Sequence, residues 1–119
     1  MQTTKKSWDI WELIAIKYLQ KNGYKILDTN YKFGRFWEID IIAKLGNVTI
    51  FIEVKYRSSS KFWIGEESIT PYKLKKLEKT IYSYCFMNRI EQENIRFDAI
   101  TIMKWQNSYK VKHYKNLEI

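Results

Sequence analysis

Asp40 and Glu53 are the residues whose types and spacing point to chemistry. They sit in two apolar stretches, Phe36 to Lys44 and Val48 to Arg57, joined by Leu45-Gly46-Asn47. A Gly-Asn pair as a two-residue loop predicts a type II′ hairpin turn, with Gly supplying the positive φ. With Leu45 facing Val48, counting back sets Asp40 across from Glu53 and Glu38 across from Lys55. A one-residue slip would set these acids against Ile52 and Val54 instead. The period of two agrees: Glu38, Asp40 and Ile42 point one way and Ile39, Ile41 and Ala43 the other. On the partner strand Phe51, Glu53, Lys55 and Arg57 share a face, and Ile50, Ile52, Val54 and Tyr56 form the apolar one. Like charges opposed across a ladder repel. A hard divalent cation resolves the conflict, because it takes carboxylate oxygens and keeps several waters. The plain alternative is a solvated strand face with Glu38 and Lys55 as a cross-strand salt bridge, which leaves the Asp40–Glu53 repulsion standing.

These side chains need elements to position them. A helix is predicted from about Ser7 to Asn22, with Ser7 as cap, Asp9 at the positive end and Gly23 as the stop. Trp8, Trp11, Ala15, Tyr18 and Leu19 fall in one arc, and Glu12 falls inside it; Ile10 and Leu13 lie in or beside the polar sector. A carboxylate on a packing face needs a cation, a metal or hydrogen bonds. A salt bridge to a nearby Lys or Arg would serve as well as a role in a site. A first strand is predicted from Tyr24 to Tyr31. The second helix starts with Thr70 as cap and Pro71 as first residue. Its stripe of Leu74, Leu77, Ile81, Tyr84 and Cys85 makes Cys85 a core residue. Lys73, Lys75, Lys76 and Lys79 ring its outer side, either simply solvated or set to contact phosphates. The last two strands run from Ile95 to Lys104 and Ser108 to Asn116, separated by Trp105-Gln106-Asn107. Asp98 reads as structural. His113 stands alone on an edge strand, which gives it no ligand or base role.

Composition bounds the rest. A chain of 119 residues with 45% hydrophobic and 29% charged residues is a globular single domain, 1–119, with an ordinary core. One cysteine excludes a disulfide framework and a multi-Cys zinc site, which fits a cytoplasmic setting. No apolar run is long enough for a membrane span, and the first residues lack the apolar stretch of a signal peptide. The charge of +8, from 21 Lys and Arg against 13 Asp and Glu, points to a polyanionic partner. With 17% aromatics, nucleic acid is the favoured one.

Asp40 followed by Glu53-Val54-Lys55 resembles the PD-(D/E)XK nuclease motif. The chain as a whole resembles the YraN-like family of small predicted endonucleases, related to archaeal Holliday junction resolvases. The blocks that carry the resemblance are WELIAIKYLQKNGYKIL, EIDIIAK, IFIEVKYR, ITPYKLKKL, RFDAITI and VKHYKN. The resemblance implies an α/β restriction-endonuclease-like fold, a central mixed β-sheet flanked by two helices in the order αβββαββ. It implies a Mg²⁺- or Mn²⁺-dependent endonuclease acting on DNA, branched or otherwise structured, in repair or recombination, and a homodimer by analogy. Glu12, Asp40, Glu53 and Lys55 would be catalytic, with Asp40, Glu53 and Glu12 on the metal and Lys55 on the attacking water. Lys73, Lys76, Lys79, Arg57 and Lys61 would contact the nucleic acid, and the 58–63 stretch reads as a substrate-contacting segment or an ordinary connection. The family usually carries Gly where Trp11 and Trp37 stand; the indoles would narrow access to a duplex or stack on exposed bases. The alternative is a nucleic-acid-binding protein whose degenerate site no longer cuts. The chemistry suits these residues in its own right, since hydrolysis of a phosphodiester needs an activated water and neutralised phosphoryl oxygens.

Overall fold

The computed structural model describes residues 9–35, 37–57 and 71–118. The expectations for Ser7, Trp8, Phe36, the 58–63 stretch with Lys61, and the Thr70 cap fall outside these residues. The first helix, α1, spans Ile10–Lys21 and so begins later than the sequence pattern indicated. Its cap is Asp9 rather than Ser7: the Asp9 carboxylate accepts the Trp11 N–H at 3.4 Å, satisfying one of the free donors of the first turn. Gly23 ends the helix at φ +91, a conformation that costs other residues their Cβ clearance, and the Tyr24 N–H folds back to the Leu19 carbonyl at 2.9 Å.

Five strands follow: β1 (Lys25–Lys32), β2 (Glu38–Leu45), β3 (Val48–Arg57), β4 (Ile95–Trp105) and β5 (Ser108–Tyr114). The second helix, α2, spans Pro71–Asn88 between β3 and β4. The order αβββαββ is the expected one, apart from a short 3-10 turn, Gln92–Asn94, ahead of β4. The strands lie in sequence order in one sheet. Pairing is antiparallel except between β3 and β4, which run parallel. A parallel pair needs a crossover, which is the place of α2. The β2–β3 hairpin has the predicted register, Leu45 opposite Val48, with Gly46 at φ +61 and Asn47 on the negative side, the II′ pattern.

The sheet is covered on both faces. Ala15, Ile16 and Leu19 of α1 pack on Ile41, Ala43, Ile50, Ile52, Ile100 and Ile102. Leu77, Ile81, Tyr84 and Cys85 of α2 pack on Ile39, Ile42, Phe51 and Phe97, so Cys85 is a core residue as expected. Ile39 was expected on the face of Ile41 and Ala43 but joins Ile42 on the α2 side, so the alternation of β2 breaks between Ile41 and Ile39, opposite Asn30 at φ +53. Ile10 and Leu13, the two apolar residues off the packing arc of α1, are exposed.

Asp98 proves to be the polar tie of the α1 side. It is fully buried and accepts from Arg96 at 2.9 and 2.8 Å, from the Asn116 N–H at 2.9 Å, and pairs with His113 Nε2 at 2.7 Å. His113 Nδ1 in turn meets the Tyr18 hydroxyl at 3.0 Å, and Arg96 donates to the Tyr24 hydroxyl at 3.0 Å. Burial alone would raise the Asp98 pKa; the hydrogen bonds from His113, Arg96 and Asn116 outweigh it and hold the carboxyl below its usual range. The folded chain therefore binds fewer protons here than the unfolded one. Its stabilising contribution is present above about pH 4 and is lost as pH falls through the depressed pKa. Asp98→Asn is expected to cost about 2–3 kcal/mol at pH 7, because Arg96 is left without its buried partner. Urea melts check this, and a cost that fails to shrink at acid pH would refute the ion-pair origin.

Candidate active site

The paired part of the β2–β3 ladder ends at Ile41 and Ile52. One step beyond, Asp40 and Glu53 are no longer paired in the ladder, although Glu53 stays close enough to act on the Asp40 charge. The Asp40 carboxylate takes the place of the missing ladder bond, accepting the Val54 N–H at 2.8 Å. The two acids thus lie close where the ladder ends and the strands open into a cleft. Burial first, then the Glu53 charge, with smaller pushes from Glu12 and Glu38 and against the pull of the Val54 N–H, raises the Asp40 pKa to about 8. Glu53 repels an ionised Asp40, although the expected ladder pair between them is not formed.

Glu53 has both oxygens engaged. Oε1 accepts the Trp37 indole N–H at 3.2 Å, and Oε2 faces Lys55 Nζ at 3.3 Å. Trp37 is itself fixed: the buried Thr80 hydroxyl of α2 donates to its carbonyl at 2.7 Å, and Lys73 Nζ lies 5.5 Å from its ring centroid. Lys55 therefore pairs with Glu53 rather than with Glu38, because the opening of the strands carries Glu38 away from β3. Glu38 turns to β1. There Asn30, opposite Asp40 in the register and at φ +53, donates to Glu38 at 2.8 Å and to Glu12 at 3.0 Å. One neutral amide spans two carboxylates. Burial raises the Glu12 pKa, the Asn30 bond opposes, and Asp9 and Glu38 add to the rise.

Glu12 thus reaches the cleft from the first turn of α1, through Asn30. Among the described residues no three His, Cys, Asp or Glu side chains converge closely enough to hold a metal ion. The donor set nevertheless suits one in chemistry: two hard carboxylates forced together, one of them kept from ionising by its surroundings, are what a divalent cation relieves. Lys73 stands over Trp37 beside the cleft, Lys76 lies 4.6 Å from the Tyr72 ring, and Lys79 is exposed on the same helix. Arg57 closes β3, two residues past Lys55. Trp11 is drawn to the other side of the sheet, stacked on Tyr56 with ring centroids 3.7 Å apart and planes 7° apart. Of the two indoles, Trp37 alone stands in the cleft. The sequence does not point to Asn30 and Trp37 as partners of the acids, nor to Thr80 as the anchor of Trp37; the one local signal is Asn30, an Asn in mid-strand, where that residue is disfavoured.

Residues 11–102 match the model of the Uncharacterised protein family UPF0102. A UPF0102 protein of Alkaliphilus oremlandii is 40% identical over 114 residues, covering 94% of this chain and 97% of that one. Another, from Thermodesulfovibrio yellowstonii, is 45% identical over 105 residues, covering 88% of each. Among solved structures, Hjc of Archaeoglobus fulgidus, a Holliday junction resolvase from an archaeal hyperthermophile, is similar with a TM-score of 0.52 and 17% identity, over 90% of this chain and 74% of that chain. The chain belongs to the UPF0102 family, the YraN-like group that its motifs resemble, and it shares the α/β nuclease fold of that archaeal resolvase.

Proposed function

We propose that this protein is a metal-dependent endonuclease that hydrolyses phosphodiester bonds of branched or otherwise structured DNA, as one nuclease domain working in the cytoplasm. The observation that carries the reading is the closeness of Asp40 and Glu53 where the β2–β3 ladder ends, with Lys55 paired to Glu53. Asp40 and Glu53 would hold a Mg²⁺ or Mn²⁺ ion, with Glu12 approaching through Asn30. Bound there, the ion supplies positive charge to the phosphoryl oxygens and lowers the pKa of a coordinated water. The chain's own groups do the rest. The Val54 N–H holds Asp40 in place, and the Trp37 indole holds Glu53 by one oxygen, leaving the other to exchange partners. Lys55, once released from Glu53, donates to the phosphate or orients the attacking water. Lys73, Lys76, Lys79 and Arg57 supply positive charge around the cleft for the flanking phosphates. DNA as the partner agrees with the net charge of +8 and with the likeness to a resolvase fold; no described helix is long and apolar enough to cross a membrane. A second copy of the chain would let one assembly act on both strands of a symmetric junction.

A second reading, a DNA-binding protein that does not cut, is favoured by one observation: both Glu53 oxygens are already engaged, by Trp37 and Lys55. Calorimetric titration of Mn²⁺ into the protein and its Asp40→Asn variant separates the two. Binding that disappears in the variant, followed by cleavage of junction or flap DNA, is the expected outcome. DNA binding with no Mn²⁺ binding and no cleavage in the wild type would establish the non-cutting reading.

A further inference from the structure

The sheet face that carries Glu53 and Lys55 does not stop at β3. In the parallel β3–β4 register Glu53 is opposite Ala99, Lys55 opposite Thr101 and Arg57 opposite Met103. In the antiparallel β4–β5 register Thr101 is opposite Lys112, Met103 opposite Lys110 and Trp105 opposite Ser108. Opposed residues point to the same face, so two rows leave the cleft: Lys55–Thr101–Lys112, and beside it Arg57–Met103–Lys110. With strands about 4.8 Å apart, Lys112 lies roughly 10 Å across the sheet from Lys55, and the second row lies about 6.7 Å farther along the strands. At the end of β4, Trp105 stands on this face and is 56% exposed, followed by the tight turn at Gln106, φ +55.

Two features set this half of the face apart. First, its charge has one sign: on the described β4 and β5 residues of this side there is no Asp or Glu, since Asp98 points to the α1 side. Second, α2 packs on Ile39, Ile42, Phe51 and Phe97, at the other half of the sheet, and leaves Lys110 and Lys112 exposed. A solvated strand face does not explain an indole at the tip. A single polynucleotide strand does: ammonium and guanidinium groups follow its phosphates, and an aromatic ring takes a base by stacking, which only an unpaired base permits.

We infer that the outer face of β4 and β5 is a track for single-stranded DNA, in which Arg57, Lys110 and Lys112 hold the phosphates leading from the cleft and Trp105 stacks an unpaired base. The track rests on the nuclease reading only for what it delivers the strand to. It makes the preferred substrate a junction between duplex and single strand, such as a flap, rather than a continuous duplex.

Fluorescence anisotropy in EDTA, where no cutting intervenes, tests it with a labelled single strand, a flap and a blunt duplex. The wild type is expected to bind strand and flap more tightly than the duplex. Trp105→Ala should lose about tenfold on strand and flap and clearly less on the duplex. Lys110→Glu with Lys112→Glu should flatten the salt dependence on the single strand, lowering the slope by about 1.4 for two phosphate contacts. Strand and flap binding that is unchanged in both variants, or a wild type that prefers the duplex, overturns the track. Mn²⁺ titration and cleavage by the wild type stand apart from these readouts: failure of both, with the binding pattern intact, would remove the nuclease reading and leave the track.

Discussion

Glu53→Gln and Lys55→Ala are each expected to lower cleavage of junction or flap DNA by about 10³-fold or more, with the fold retained. Both side chains lie at the cleft, Glu53 12% and Lys55 28% exposed, and they are already in contact at 3.3 Å. On the nuclease reading Glu53 would hold the ion and Lys55 would donate to the phosphate, so that ion and ammonium together meet the charge that develops in the transition state. Loss of either leaves that charge uncompensated in a partly dry site, where donors aimed at it count most. The two act as a unit, so the double variant should be little worse than the single ones. Glu12→Gln should cost less, about 10- to 100-fold, since Glu12 meets the site through the Asn30 amide and would orient rather than react. Single-turnover rates at saturating Mn²⁺ measure all four. Glu53→Gln cutting within a factor of ten of the wild type would sink the assignment.

The second large effect is on stability and needs no substrate. Metal-free protein is expected to gain on the order of 4 kcal/mol at pH 8 from Asp40→Asn, at roughly 4 °C in Tm per kcal/mol for a chain of this size. Burial and the nearby Glu53 raise the Asp40 pKa to about 8, against an ordinary value near 4. Between these values the folded chain binds a proton that the unfolded chain has released. Stability from this group is therefore fully present below about pH 4 and is lost as pH rises toward 8. Asn keeps an oxygen for the Val54 N–H and carries no charge, so the gain over the wild type should grow with pH and level off above 8. Mn²⁺ should remove the difference by stabilising the wild type alone. Thermal melts in EDTA from pH 5 to 9 decide it: a constant offset between the two proteins would show that the charge on Asp40 is not the cause.

How much of this was legible depended on sequence distance. The β2–β3 register was readable from the Gly46-Asn47 turn as far as Ile41 and Ile52, whereas the alternation misplaced Ile39, which packs with Ile42 on the α2 side. Asp40 and Glu53 could be brought near each other from the turn alone. The Glu38–Lys55 salt bridge could not be judged, since the alternation carries no sign that the strands part after Ile41 and Ile52. Asn30 became visible only when β1 paired with β2. Trp37 became visible as a ligand of Glu53 only when α2 closed over it and Thr80 took its carbonyl. His113 gave no ligand signal because its partners, Asp98 and Tyr18, lie on a different strand and on the first helix. The basic rows on β4 and β5 needed the parallel register, which no local pattern encodes.

That parallel pairing has a consequence for how the molecule assembles. The acids of the cleft belong to one hairpin with a two-residue turn, and the outer strands Ile95–Trp105 and Ser108–Tyr114 form a second. Each can zip from its own turn within microseconds. Joining them requires the whole stretch from Arg57 to Ile95 to fold back and close a long loop before the first β3–β4 contact is made. The slow step of folding is thus expected to be the docking of two preformed hairpins. Until it occurs the inner edge of β3 is an open strand edge, rich in Ile, Phe and Val and prone to pair with another chain. Substitutions in α2 that delay this docking should show first as aggregation during refolding, and only later as lower equilibrium stability.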